Sequence, residues 1–162
     1  MKQMNFLLIL TTLFTGIMAG LFFAWNFSVM NGLGKLQDKA FVGAMQSLNR
    51  EIQNPVFFLF LFGTLILLPA CAFAAYRHLP AAVFRLVLAA AVLYAAGVIG
   101  VTMAGNVPLN SRLDRFVLQT ATDAEIASAR KNFEGPWNRL NVARMLANVL
   151  SFLLLILAAL KR

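Results

Sequence analysis

Apolar residues occur along this chain in long blocks, not in short alternating stretches. No residue is charged between Lys2 and Lys35. The block over residues 5–30 exceeds the ~20 residues that an α-helix needs to cross hydrocarbon. Further blocks cover about 55–76, 82–105 and 137–160. Pro55 suits the first turn of a helix because it has no N–H to orphan there. Pro69, inside the second block, predicts a kink. Arg77-His78-Leu79-Pro80 reads as a tight basic turn, and Lys161-Arg162 closes the last block. The pattern predicts one all-α domain over 1–162, an integral membrane four-helix bundle. A cleaved signal peptide is the rival reading of the first block. Its length, and the lack of a small-residue cleavage pattern after it, favour a retained helix.

The two longer connections have a different period. Phe41, Met45, Leu48 and Ile52 recur at helical spacing among polar residues, which predicts an amphipathic helix over 37–53 lying along the membrane interface. Thr122 followed three residues later by Glu125 is a capping-box start. The short helix from Asp123 is expected to stop at Gly135-Pro136, a pair that ends one helix and launches the next.

Composition supports this reading. Sixty per cent of residues are hydrophobic and 12% are charged, against roughly 25% charged in a soluble domain. The net charge of +8 would suit nucleic acid if it formed a stripe. The basic residues instead sit in connections and at the chain ends, so anionic lipid headgroups are the expected counter-charge and nucleic acid is not an expected partner. Lys2, Arg77, Arg85, Lys161 and Arg162 share one side with no acid. By charge density the termini are expected in the cytoplasm, in a bacterial inner membrane, although the raw count of Lys and Arg favours the opposite side. A lone Cys71 and a lone His78 offer no disulfide and no familiar zinc or haem ligand set.

Polar side chains gather at one membrane face. Asn26 and Asn31 end the first span, Asn49 and Asn54 precede the second, and Asn106 and Asn110 end the third one turn apart. Trp137, Asn141, Arg144 and Asn148 follow at spacings that place them on one face of the fourth helix. Each Asn alone reads as a cap or as interhelical glue, and Trp137 alone as an aromatic-belt residue. Arg144 lies about two turns inside its helix, where a charge must snorkel or face the bundle interior and find a partner. Together these residues predict a wet pocket at one mouth of the bundle. Its donors suit a carbonyl, phenolate or enolate oxygen. No Ser-His-Asp set, P-loop or HExxH is present. Glu51, Asp114 and Glu134 fall on the pocket's side as acids, and the sequence does not choose a base among them.

Gly105-Asn106-Val107-Pro108-Leu109-Asn110, followed by Phe133-Glu134-Gly135-Pro136-Trp137-Asn138-Arg139-Leu140-Asn141-Val142-Ala143-Arg144, resembles the signature of the anthrone oxygenase-like family of small four-helix membrane proteins. Met45–Asn49, Asn54–Phe57 and the first helix with Gly16, Gly20, Asn26 and Met30 are similar to it as well. The resemblance implies chemistry of the kind some fungal members perform, oxidation of anthrones to anthraquinones with O₂ and no known cofactor. It carries Asn106, Asn110, Trp137, Asn141 and Arg144 as pattern positions. On this reading the protein is a cofactor-independent oxygenase acting on a lipophilic, enolisable aromatic. Arg144, Asn141 and Asn110 are the expected catalytic residues that hold the substrate oxygen. Trp137 stacks on the ring, and Asn106, Asn49 and Asn26 complete the substrate-binding set. The alternative is a non-enzymatic membrane module that binds a hydrophobic ligand or pairs with a membrane partner. Gly16 and Gly20, a GxxxG spacing, would then support homo-oligomer formation.

Overall fold

The computed structural model describes residues 2–162 and contains five helices. They are α1 (Gln3–Leu33), α2 (Asp38–Glu51), α3 (Pro55–His78), α4 (Ala81–Asp114) and α5 (Asp123–Leu160). All but α2 are long and apolar enough to cross a membrane. These four form a closed ring in which α1 packs on α3, α3 on α4, α4 on α5 and α5 on α1. The protein is thus an all-helical membrane bundle. The caps follow local chemistry. The Asn54 side chain accepts from Phe57 N–H at 3.0 Å just ahead of Pro55. Thr122 and Glu125 close the reciprocal capping box that their spacing predicts.

Two apolar cores are stacked along the bundle. The larger lies between the spans and includes Leu8, Met18, Phe22, Leu68, Val87, Tyr94 and Leu155. The smaller, formed by Met30, Phe41, Val42, Met45, Leu113, Ile126, Phe133 and Trp137, is built where α1, α4 and α5 run on past the spans and α2 packs across α4 and α5. That α2 packing modifies the expected amphipathic face. Phe41, Val42, Met45 and Asn49 are buried, while Leu48 and Ile52 are only half-buried, because the helix faces protein and not just the membrane interface.

Two helix ends differ from the sequence expectation. The third span does not end at Gly105 but continues to Asp114. Pro108 lacks a donor for the carbonyl of Ala104, and the chain meets this with a wider π-helical turn over Thr102–Asn106. The helix begun at Asp123 does not stop at Gly135-Pro136. It continues unbroken to Leu160, because tertiary contacts hold both sides of the proline. Phe133 before it meets the Phe41 ring of α2 at 6.4 Å, and Trp137 after it meets the Trp25 ring of α1 at 5.8 Å. One turn earlier, Arg130 bonds Glu134, Asp38, Gly34 O and Leu36 O, which ties α5 to the α1–α2 connection. Pro69 likewise sits inside an unbroken α3.

Close helix approach depends on glycine at Gly97, where a Cβ would lie 2.4 Å from the Ala147 Cβ on α5. Gly16 packs on Phe152 within the bundle, whereas a methyl group added at Gly20 would meet nothing within 4 Å. The two glycines of the GxxxG spacing therefore have different surroundings. Gly97→Ala should lower the thermal midpoint in detergent, by an overpacking cost of about 1–3 kcal/mol. Gly20→Ala should leave it unchanged, and equal midpoints for the two variants would contradict this packing.

Candidate functional site

Between the two cores lies a layer of polar side chains. Asn26 comes from α1, Asn49 from α2, Thr102, Asn106 and Asn110 from α4, and Trp137, Asn141 and Arg144 from α5. Within the larger core, buried hydroxyls are satisfied. Thr11, Thr15 and Thr64 bond carbonyls of their own helices, Ser151 bonds Ala90 O, and Tyr94 Oη bonds Leu61 O at 2.9 Å. In and beside the polar layer the pattern changes. Asn49 Nδ2, Thr102 Oγ1, both side-chain heteroatoms of Asn106 and of Asn148, and Asn138 Oδ1 are buried with no hydrogen-bond partner. Such groups cost roughly 1–3 kcal/mol each when left unpaired. Natural structures carry few of them, so a cluster calls for a functional explanation.

A cavity of about 370 Å³ opens into this layer. Arg144, Asn49, Thr102, Asn106 and Asn110 line it, with Phe22, Trp25, Phe57 and Leu61 supplying apolar wall. Arg144 is 8% exposed and makes no salt bridge among the described residues. Its Nε donates to Asn141 Oδ1 at 3.0 Å. The guanidinium carbon sits 4.5 Å from the Phe22 ring centre and 5.2 Å from that of Trp137. Cation–π contact compensates part of the lost hydration, but it leaves the outer N–H groups without an anionic acceptor from the protein. A cation held this way in a low-dielectric wall is prepared for an anionic oxygen.

The residues singled out in the sequence occupy three kinds of place. Arg144, Asn110, Asn106, Asn49 and Trp137 are in the cavity wall. Asn141 is fully buried behind that wall, holding Arg144 in place. Asn26 lies further out and accepts from Asn141 Nδ2 at 3.5 Å. Asn110 Oδ1 accepts the Trp137 indole N–H at 2.8 Å, which leaves its NH₂ as the group available to a ligand. Trp137 is 2% exposed, with Phe133 stacked on it and Arg144 over it. Trp25, half-buried, 5.8 Å from Trp137 and in the wall, offers a more open ring.

Several site features were not visible in the sequence. Phe22, Trp25 and Thr102 read as ordinary span residues there. Two of the three π-helical segments among the described residues, Trp25–Val29 with Met30 N–H on Trp25 O and Thr102–Asn106 with Val107 N–H on Thr102 O, border the cavity, and the third, Leu93–Gly100, does not. Turns of this kind recur at functional sites, and Pro108 is the one sequence signal that points to either. Among the three acids left open, Asp114 is the one in the cavity wall, where it pairs with Arg50 at 2.6 Å. Glu134 is bonded to Arg130, and Glu51 is exposed and outside the wall. No cluster of three or more His, Cys, Asp or Glu suited to a metal ion occurs among the described residues.

The fold and the site define a helical membrane bundle with an arginine-lined apolar cavity. The chain belongs to the anthrone oxygenase family, whose model matches residues 57–154. The match takes in α3, α4 and most of α5, with Thr102, Asn106, Asn110, Asp114 and Arg144. Phe22, Trp25 and Asn49 lie outside it, as does the rest of α1 and α2. Comparison with curated proteins and with solved structures found no match.

The cavity geometry separates two roles by stability. Arg144→Met should change the thermal midpoint little, because relief of a buried cation with no carboxylate partner offsets the Asn141 Oδ1 left without its donor. Asn141→Leu should lower it, since the Arg144 Nε–H would then be buried without an acceptor, at a cost of about 1–3 kcal/mol. Thermal unfolding in one detergent distinguishes these outcomes, and a large loss in Arg144→Met would show that the arginine is structural.

Proposed function

We propose that the protein is an oxygenase of the anthrone oxygenase type, acting on a lipophilic aromatic ketone that can enolise. One observation carries this reading. A buried arginine with no protein carboxylate is held between two aromatic rings at the wall of an apolar cavity. Family membership supports the same chemistry.

The reaction divides into steps that this chain's residues can serve. A C–H bond next to the ring system loses its proton, and the electron pair passes to the ketone oxygen as an enolate. Arg144 and the Asn110 amide stabilise that oxygen, and Asn141 acts as a positioning residue through the Arg144 Nε. The acid in the cavity wall, Asp114, takes the proton. O₂ then adds at the carbanion carbon, and protonation gives a hydroperoxide. Loss of water from that hydroperoxide leaves a second carbonyl, so one ketone and one O₂ give one diketone and one H₂O. The apolar walls keep the anion from bulk water, which would otherwise reprotonate it.

Oxygen uptake by the purified protein with an anthrone should exceed the spontaneous rate. Arg144→Ala should reduce the protein-dependent part by about 10²- to 10³-fold, the usual effect of removing an oxyanion donor. Asp114→Asn should reduce it while leaving binding of the product quinone intact. Uptake unchanged in Arg144→Ala would remove the arginine from the mechanism.

A further inference from the structure

The cavity has two boundaries of different character. At its outer rim the Arg50–Asp114 ion pair joins the end of α2 to the end of α4, with Ser111 and Arg115 beside it. Its other open boundary lies between α3 and α4. Phe58 and Phe62 on α3, and Met103 and Val107 on α4, all line the cavity. The same side chains are 38%, 43%, 57% and 39% exposed on the outer surface of the bundle. A side chain that belongs both to a cavity wall and to the lipid-facing surface marks the edge of an opening.

The helices explain why an opening lies there. The tight turn after His78 holds α3 and α4 together at the far end, and almost all their contact falls on Ala81–Val92. The Tyr94 Oη bond to Leu61 O is a late link between them, and Leu61 is itself in the cavity wall. Beyond it the wider turn at Thr102–Asn106 packs mainly on α5. The two helices therefore form a wedge, closed at Tyr94 and open towards the rim.

We infer that the cavity is a lateral binding site that takes its ligand from the bilayer hydrocarbon through the α3–α4 slot. The ligand class is an uncharged, membrane-dissolved aromatic, presented edge-on between Phe58 and Phe62 on one side and Met103 and Val107 on the other. A charged, water-soluble analogue does not use this route, even though Arg144 would attract it once inside. The inference deepens the oxygenase reading by naming the phase from which substrate arrives.

The protein supplies its own reporter, since its only two tryptophans, Trp25 and Trp137, both line the cavity. The protein in lipid nanodiscs is titrated with anthraquinone dissolved in the bilayer, and separately with anthraquinone-2-sulfonate added to the water. Saturable quenching by the first and none by the second is expected. Met103→Phe/Val107→Phe, which narrows the slot from exposed positions, should raise the quinone-to-lipid ratio for half-quenching roughly tenfold. Leu146→Phe/Leu153→Phe, equally exposed on α5, should not change it. Saturable quenching by the sulfonate at comparable affinity would overturn the lateral route, and so would the absence of saturable quenching by either probe. If the slot variant does not fold, the comparison of the two quinones on the unaltered protein still decides. Oxygen uptake that persists when these tests fail would remove the slot and keep the oxygenase. Quenching as expected without any oxygen uptake would do the reverse.

Discussion

Arg144 is the constraint around which the cavity of this bundle is arranged. A guanidinium among membrane helices must find compensation, and a carboxylate is the usual means. Here the compensation comes from the faces of Phe22 and Trp137 and from one amide oxygen of Asn141. Each partner comes with obligations of its own. Trp137 needs an acceptor for its indole N–H and takes Asn110 from α4. Asn141, its oxygen engaged, reaches Asn26 on α1 with its nitrogen. The side chains that hold Arg144 thus join α1, α4 and α5 at a single level, between a core of span residues and a second core outside it.

That level is also where the protein leaves polar groups unpaired. Thr102, Asn106 and Asn49 surround a cavity with walls that are otherwise mostly apolar. Groups of this kind weaken a fold unless something binds them, whereas the buried hydroxyls deeper in the spans are all bonded. At the cavity the unpaired groups are placed to meet a ligand, whereas Asn138 and Asn148 are unpaired outside its wall. The π-helical turn before Pro108 belongs to the same design, since it widens α4 where Thr102 and Asn106 meet the cavity.

The sequence made some of this legible and hid the rest for physical reasons. Uninterrupted apolar length revealed the spans, and the Thr122–Glu125 spacing revealed a cap, because both are local properties. Arg144, Asn106, Asn110 and Trp137 were legible as polar positions because helical spacing puts each pair on one face of its own helix. Gly135-Pro136 misled, since the signal for a helix end is local while Phe41 on Phe133, Trp25 on Trp137 and the Arg130 latch act from across the fold. Phe22 and Trp25 could not be separated from other span aromatics, as nothing in an apolar run tells which ring will meet a cation. The GxxxG spacing pointed to one helix face, yet Gly16 meets Phe152 and Gly20 meets no neighbour.

The central claim is that Arg144 holds an anionic ligand oxygen inside the cavity. The most direct measurement is an optical titration of the phenol of 2-hydroxyanthraquinone bound to the protein in nanodiscs. A cation beside the phenolate favours the charged form, so the phenol should titrate at lower pH when bound to the protein than in empty nanodiscs. In Arg144→Met the shift should vanish while the quinone still binds. A bound phenol that titrates as it does in lipid alone, or a downward shift that survives in Arg144→Met, would contradict the account.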